Sequence, residues 1–382
     1  MAYFDNAATT YPKPETVYDR MDKFYRTSGA NAGRGSYSLA QSAGQLIDET
    51  RALIREVLNC ASKQVIFTPT ATIALNMIIQ GLIRAGASTI YISPFEHNAV
   101  TRVLHSYEKE NLIKVFELTV TKDMEYDLQR IRYQFEEKKP DVVIISHASN
   151  VFGLIAPVED IFHLAKDQGA YTVVDMAQTA GLVECNVGSD VFDFAVFAGH
   201  KTLYGPTGVS GFVMNPQVKL RPILYGGTGM ESANQDMPES LPERFEMGTL
   251  NISGIAGLNA ALKWNIETGI AAIAKRENEN REKLKDLLKN YDWIRIVGDS
   301  VGKKYVGILS SLIEGISSDS AGNIFSERGI AVRTGLHCAP LAHKFMNTFP
   351  AGTIRFSVGY FTSVKDFEEL KETLEFIDSE LG

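Results

Sequence analysis

In the stretch AGHKTLYGPTG (198–208), Lys201 stands after an apolar run and opens a loop rich in glycine and proline. A lysine amine drawn into a desolvated position sheds its proton easily and forms a Schiff base with an aldehyde. A surface lysine closing a strand is the plain alternative; His200 beside it and the stiff loop weigh against that reading. In VVDMAQTAG (173–181), Asp175 also ends an apolar run. A carboxylate at such depth needs a cationic partner, because an unpaired buried charge is costly. A protonated ring nitrogen would serve. A helix cap or an internal ion pair would serve as well.

An aspartate paired with a pyridine nitrogen is the device that makes pyridoxal phosphate an electron sink, which gives Lys201 and Asp175 a common purpose. The segment FTPTATIALNMIIQGL (67–82) describes a strand end, a proline, small hydroxyl residues and then an apolar-periodic helix. The free N–H groups and dipole of such a helix start form an anion site, so Ala71 and Thr72 could hold a phosphate. Simple capping by Thr70 or Thr72 explains the same residues. In SPFEHNAV (93–100), His97 follows a strand, where it could stack on an aromatic ring or carry protons, or merely pack. Arg355 lies inside the apolar TIRFSVGY (353–360) and needs a carboxylate, either internal or from an amino-acid substrate. RTGLHCAP (333–340) places Cys338 directly after His337 in a loop broken by glycine and proline. A polar loop beside His337 and Arg333 could support a thiolate nucleophile.

These residues need a scaffold. The chain has 382 residues, 45% hydrophobic and 22% charged, ample for a large core and a second, smaller unit. A net charge of -8 with no basic run argues against nucleic acid and anionic membranes as partners. Three cysteines without a CxxC pair argue for a reducing compartment and against a disulfide framework or a metal site. MAYFDNAATT shows neither a basic nor an apolar leader segment, and no apolar run approaches a membrane span. The expectation is a soluble cytoplasmic protein.

Short runs rich in Val, Ile, Phe and Tyr at 88–94, 114–120, 141–150, 170–178 and 193–201 predict buried strands, with helical patterns such as 158–169 between them. That alternation predicts an α/β fold with a mostly parallel sheet covered on both faces, and ligands beyond the carboxyl ends of its strands. His97, Asn150, Asp175, Gln178 and Lys201 all follow apolar runs. One long helical stretch is expected at 253–289, leading to a smaller α+β unit. Strands are expected there near 304–312, 330–333 and 353–358, before a closing helix. The expected division is a large cofactor-binding domain over 15–263 and a small domain from 1–14 and 264–382, carrying the Cys338 loop.

Taken in order, YFDNAAT, NAGRG (31–35), EHNAV, SHASNVFG, VDMAQTAG, GHKTLYGPTG, RFEMGTLN (244–251) and VRTGLHCAP resemble pyridoxal-phosphate enzymes of fold type I. More narrowly they resemble the class V aminotransferase group, in the Suf-like (group II) branch of cysteine desulfurases and selenocysteine lyases. The resemblance implies that Lys201 carries pyridoxal phosphate, Asp175 pairs with its ring nitrogen, Gln178 meets its phenolic oxygen and His97 stacks on the ring. Ala71, Thr72 and His200 would bind the phosphate, and Thr249 would reach the phosphate of a neighbouring subunit in a homodimer with shared active sites. Asn150 and Arg355 would hold the substrate carboxylate, while Ala7, within DNAAT, and Arg34 would line the entrance together with Arg333. L-cysteine, or selenocysteine, would be the substrate and Cys338 the sulfur acceptor, with a further protein taking the sulfur onward towards iron–sulfur clusters or another use. Cys60 and Cys185 would be inert. Ala198, where the family commonly has a hydroxyl residue, would cost one phosphate hydrogen bond, about 1 kcal/mol. Leu336 and Ser36 also depart from the pattern.

Overall fold

The computed structural model describes residues 1–32, 35–231 and 233–381. Its centre is a seven-stranded sheet in the order Gln64–Thr68, Ser210–Met214, Phe194–Ala198, Tyr171–Asp175, Val142–Ser146, Thr89–Ile92, Lys114–Glu117. Ser210–Met214 alone runs against the others, pairing antiparallel on both sides. The remaining pairs are parallel, including Ser146 opposite Asp175. Parallel strands need crossovers, and the helices that provide them cover both faces. The core is accordingly split in two. Val143, Ile145 and Val174 point into one apolar cluster, and Val142, Ile144 and Val173 into the other. This is why these strands read as unbroken apolar runs. The exception is Lys114–Glu117 at the sheet edge, which is half-exposed where the sequence suggested burial.

The expected helix at 253–289 is two helices, Ile252–Thr268 and Ile270–Lys289, broken at Gly269, whose φ of 85° ends the first. Helical periodicity continues across the break, so only the glycine marked it. Beyond it, a four-stranded antiparallel sheet runs in the order Arg333–Gly335, Thr353–Ser357, Ile308–Ile313, Ile294–Val297. Ile294–Val297 had not been anticipated. The N-terminal residues Ala2–Tyr3 pair with Ile330–Ala331, and Asp5 bridges to Ser357. The start of the chain is thereby laid across this second sheet and towards the carboxyl ends of the first. Among the described residues, no helix is long and apolar enough to cross a membrane.

Candidate active site

The carboxyl ends of the central strands converge on a cavity of about 210 Å³. Lys201, Asp175, His97, Asn150, Gln178, His200, Ala71 and Thr72 all line it, as do Thr70, Ser146 and Ala198. They arrive from the ends of five different strands, which is how such a sheet gathers chemistry from distant sequence. Lys201 is presented by a tight turn: the Tyr204 amide donates to the Lys201 carbonyl (2.8 Å) and the Gly205 amide to the Gly199 carbonyl (2.7 Å). A Cβ at Gly199 would lie 2.3 Å from the Val209 carbonyl oxygen, so only glycine fits there.

Burial pushes the Lys201 amine down to about 8, opposed by the carboxylate of Asp175. Asp175 is itself raised by burial, partly offset by the Ala177 amide that donates to it and by Lys201. His97 caps helix Asn98–Lys109, its Nδ1 accepting from the Ala99 amide at 3.0 Å. Burial, then Lys201, holds that ring near 4, so it is neutral and flat-faced at physiological pH. His200 is lowered to about 4 by burial, and its buried Nδ1 has no hydrogen-bond partner among the described residues. Beside it stands the N-terminus of helix Ala71–Arg84, capped by Thr70, whose Oγ1 accepts from the Ile73 amide.

This set matches pyridoxal phosphate part by part. It offers an amine of low basicity for the aldehyde, a shielded carboxylate for the ring nitrogen and a neutral imidazole for the ring face. A helix start with an orphaned imidazole nitrogen suits the phosphate. Gln178 is already engaged, its amide donating to the Ala7 carbonyl at 3.0 Å. Glu96 went unnoticed in the sequence. It lies buried behind His97, accepting from Ser93 Oγ (2.5 Å), the Ser146 amide (2.7 Å) and Ser146 Oγ (2.8 Å), with its carboxyl raised by burial to about 7. Its proximity to His97 in EHNA was the only available signal.

Cys338 opens on a different, adjoining cavity of about 810 Å³, together with Arg333, Arg102, His105 and Leu336. Its loop is strained and tied. His337 and Cys338 both have positive φ (47° and 57°), a conformation that costs a residue with a Cβ. The ties are the Asn98 amide donating to the Cys338 carbonyl at 2.7 Å and Asn150 Nδ2 donating to the His337 carbonyl at 2.6 Å. Asn150 therefore lines the lysine cavity while holding the cysteine loop. His337 does not support the thiol as expected. The left-handed turn sends its ring inward to Thr353 Oγ1 at 3.0 Å, where burial holds it well below the ordinary value and uncharged.

Arg333 is likewise committed, to Asp5. Arg355 lines neither cavity. Its guanidinium donates to the Asn150 carbonyl (2.9 Å) and to Asp5 (2.9 Å), and its buried Nε has no partner among the described residues. The carboxylate demanded by Arg355 is thus internal in this state. Thr249 is exposed and lines two cavities away from Lys201. Arg34 falls outside the described residues. Cys60 and Cys185 are shielded, and burial lifts their thiols to about 11 and about 12. Cys338 is the exposed one of the three. Among the described residues, no cluster of three or more His, Cys, Asp or Glu is placed to hold a metal ion.

Fold and site together define an α/β enzyme scaffold of fold type I, the architecture of pyridoxal-phosphate transferases. The family model for aminotransferase class-V matches residues 2–370, and the chain belongs to that family. It is 33% identical to a protein of Methanothermobacter thermautotrophicus named probable cysteine desulfurase, over 98% of this chain and 94% of the relative. A Vibrio cholerae protein of the same name is 31% identical over 97% and 92%. The apo structure of a cysteine desulfurase from Thermococcus onnurineus NA1 superposes with a TM-score of 0.89 at 29% identity, covering 98% of this chain and 94% of the other.

Proposed function

We propose that the protein is a pyridoxal-phosphate-dependent cysteine desulfurase that moves the sulfur of L-cysteine onto Cys338 and releases L-alanine. The observation that carries this reading is the pairing of two sites through one residue: the buried Lys201–Asp175 cavity and the exposed Cys338 loop meet at Asn150. When bound, the cofactor supplies an electron sink for bonds at the substrate α-carbon. Lys201 Nζ would hold it covalently, Asp175 would keep its ring nitrogen protonated, and Gln178 would meet its phenolic oxygen. His97 would cover the ring, while His200, Thr72 and the Ala71 amide would take the phosphate.

Arg355 and Asn150 would orient the substrate carboxylate. Lys201, freed by the substrate amine, would take the α-proton and later return one. The Cys338 thiolate would attack the substrate sulfur; the carbon–sulfur bond breaks, and the sulfur remains on Cys338 as a persulfide. The Asn150 tie to His337 would yield as the loop carries the thiol inward.

The proposal extends to a homodimer in which Thr249 completes the neighbouring subunit's phosphate site, a cytoplasmic setting, and an acceptor protein for the persulfide. It also keeps the division into a large unit of 15–263 and a small one of 1–14 plus 264–382. The test is turnover of L-cysteine with a reductant by protein loaded with pyridoxal phosphate. Alanine and sulfide should form in equal amounts, and Cys338→Ser should lose nearly all of the rate, as expected when a nucleophile is removed. Pyruvate with sulfide, or a fully active Cys338→Ser, would instead make it a carbon–sulfur lyase of the same fold.

A further inference from the structure

Asp5 occupies a position that the proposed reaction does not use. Its carboxylate takes one donor from Arg355 at 2.9 Å and a fork from Arg333, with Nη2 at 3.0 Å and Nε at 3.2 Å. Arg355 is almost fully enclosed, with a side chain 3% exposed, whereas Arg333 is 51% exposed and faces the cavity of Cys338. Cys338 lies within electrostatic reach of both guanidiniums. Asp5 itself is held in place by the bridge to Ser357 and by the strand pairing of Ala2–Tyr3.

Two guanidiniums and one carboxylate leave this cluster with a single positive charge, and of the three residues Arg333 lines the Cys338 cavity. One α-carboxylate balances it. A substrate carrying a second anionic group near its sulfur would require the charge of Arg333 as well, and Asp5 has already claimed it. We propose that Asp5 is a specificity-determining residue that neutralises one of the two arginines and so restricts the site to amino acids with one acidic group. Asp5 acts here as a positioning residue, through Arg333 and Arg355. The other ionisable groups on the Cys338 cavity, Arg102, His105, Glu108, Glu117 and His337, are common to every variant below.

The inference rests on the desulfurase reading for the seat of the substrate, so its first test needs no turnover. Cys338 in the cofactor-loaded protein is alkylated with anionic iodoacetate and with neutral iodoacetamide, and the ratio of rates is followed on the Cys338 peptide. Removing a neighbouring unit charge across a wet surface should change that ratio by roughly threefold to tenfold at low salt. Asp5→Asn should raise it and Arg333→Gln should lower it. Loosening of the loop would raise both rates together and leave the ratio still. Arg333 is exposed, so its variant stays informative should Asp5→Asn fail to fold.

An unchanged ratio in both variants overturns the inference, as does an equal rise in both rates. Given turnover of L-cysteine, inhibition by L-aspartate should strengthen in Asp5→Asn by a similar factor, with inhibition by L-alanine little altered. Equal change for both inhibitors would also overturn it. Failure of the desulfurase reading would show as absent turnover with the alkylation ratio still shifted.

Discussion

An ammonium group beside a buried carboxylate at the bottom of a cavity is costly to a protein that has not yet taken up a cofactor. Lys201 titrates near 8 when folded against about 10.5 when exposed, so between those values the unfolded chain binds more protons and stability rises with pH. Below about pH 8 the folded protein carries the full penalty. Lys201→Met should therefore stabilise the cofactor-free protein at pH 7 by about 3 kcal/mol, an advantage that fades by about pH 10. Denaturant melts across that range check it, and an advantage independent of pH would contradict the cause given. Loaded with pyridoxal phosphate and treated with borohydride, Lys201→Ala should retain no covalently attached cofactor, whereas the parent protein should retain one per chain. Mass spectrometry reads this directly. The residues of the lysine cavity were legible because each closes an apolar run, and a parallel sheet turns such positions into one site. The cysteine loop was less legible. Nothing in RTGLHCAP says that two successive left-handed residues turn His337 inward, or that Arg333 is held from 328 residues away by Asp5.

At the scale of elements, the aromatic cluster that joins the segment before His97 to the helix after Cys338 carries the largest expected effect. Phe95 packs edge-on against Phe152 and Phe345 with ring centroids 5.0 and 5.2 Å apart, and against Tyr126 at 6.1 Å. Phe345 ends helix Pro340–Phe345, which follows Cys338, and Phe95 precedes Glu96 and His97. Phe95→Ala should cost about 3 kcal/mol in unfolding free energy. It should also lower the sulfur-transfer rate more than cofactor affinity, because it loosens the support of the cysteine loop. Loss of cofactor affinity alone would contradict that assignment. Strands buried on both faces stood out in the sequence as continuous apolar runs. The strand Lys114–Glu117 stood out in the same way, but its place at the sheet edge did not, and neither did the break at Gly269, because the periodicity of each resembles that of its neighbours while the surroundings differ.

Across the whole molecule, two buried carboxyls shape the response to pH. Glu96 and Glu277 are each raised by burial to about 7, well above the ordinary 4.5. Between those values the folded protein holds more protons than the unfolded chain, so their contribution to stability is present in acid and lost as pH rises through 7. Among the described residues Glu277 accepts from the Gly307 amide alone, at 2.8 Å, which the amide oxygen of glutamine can also satisfy. Glu277→Gln should gain up to about 2 kcal/mol on the parent protein between pH 5 and pH 8. A constant difference over that range would contradict the burial argument. The central claim, that sulfur passes to Cys338, is tested most directly by mixing the cofactor-loaded protein with L-cysteine in the absence of reductant. The reaction is then stopped and the added mass mapped by peptide. One extra sulfur atom on Cys338, with an equal amount of alanine and no addition at Cys60 or Cys185, is the predicted result. Alanine or pyruvate formed with Cys338 unmodified would contradict it.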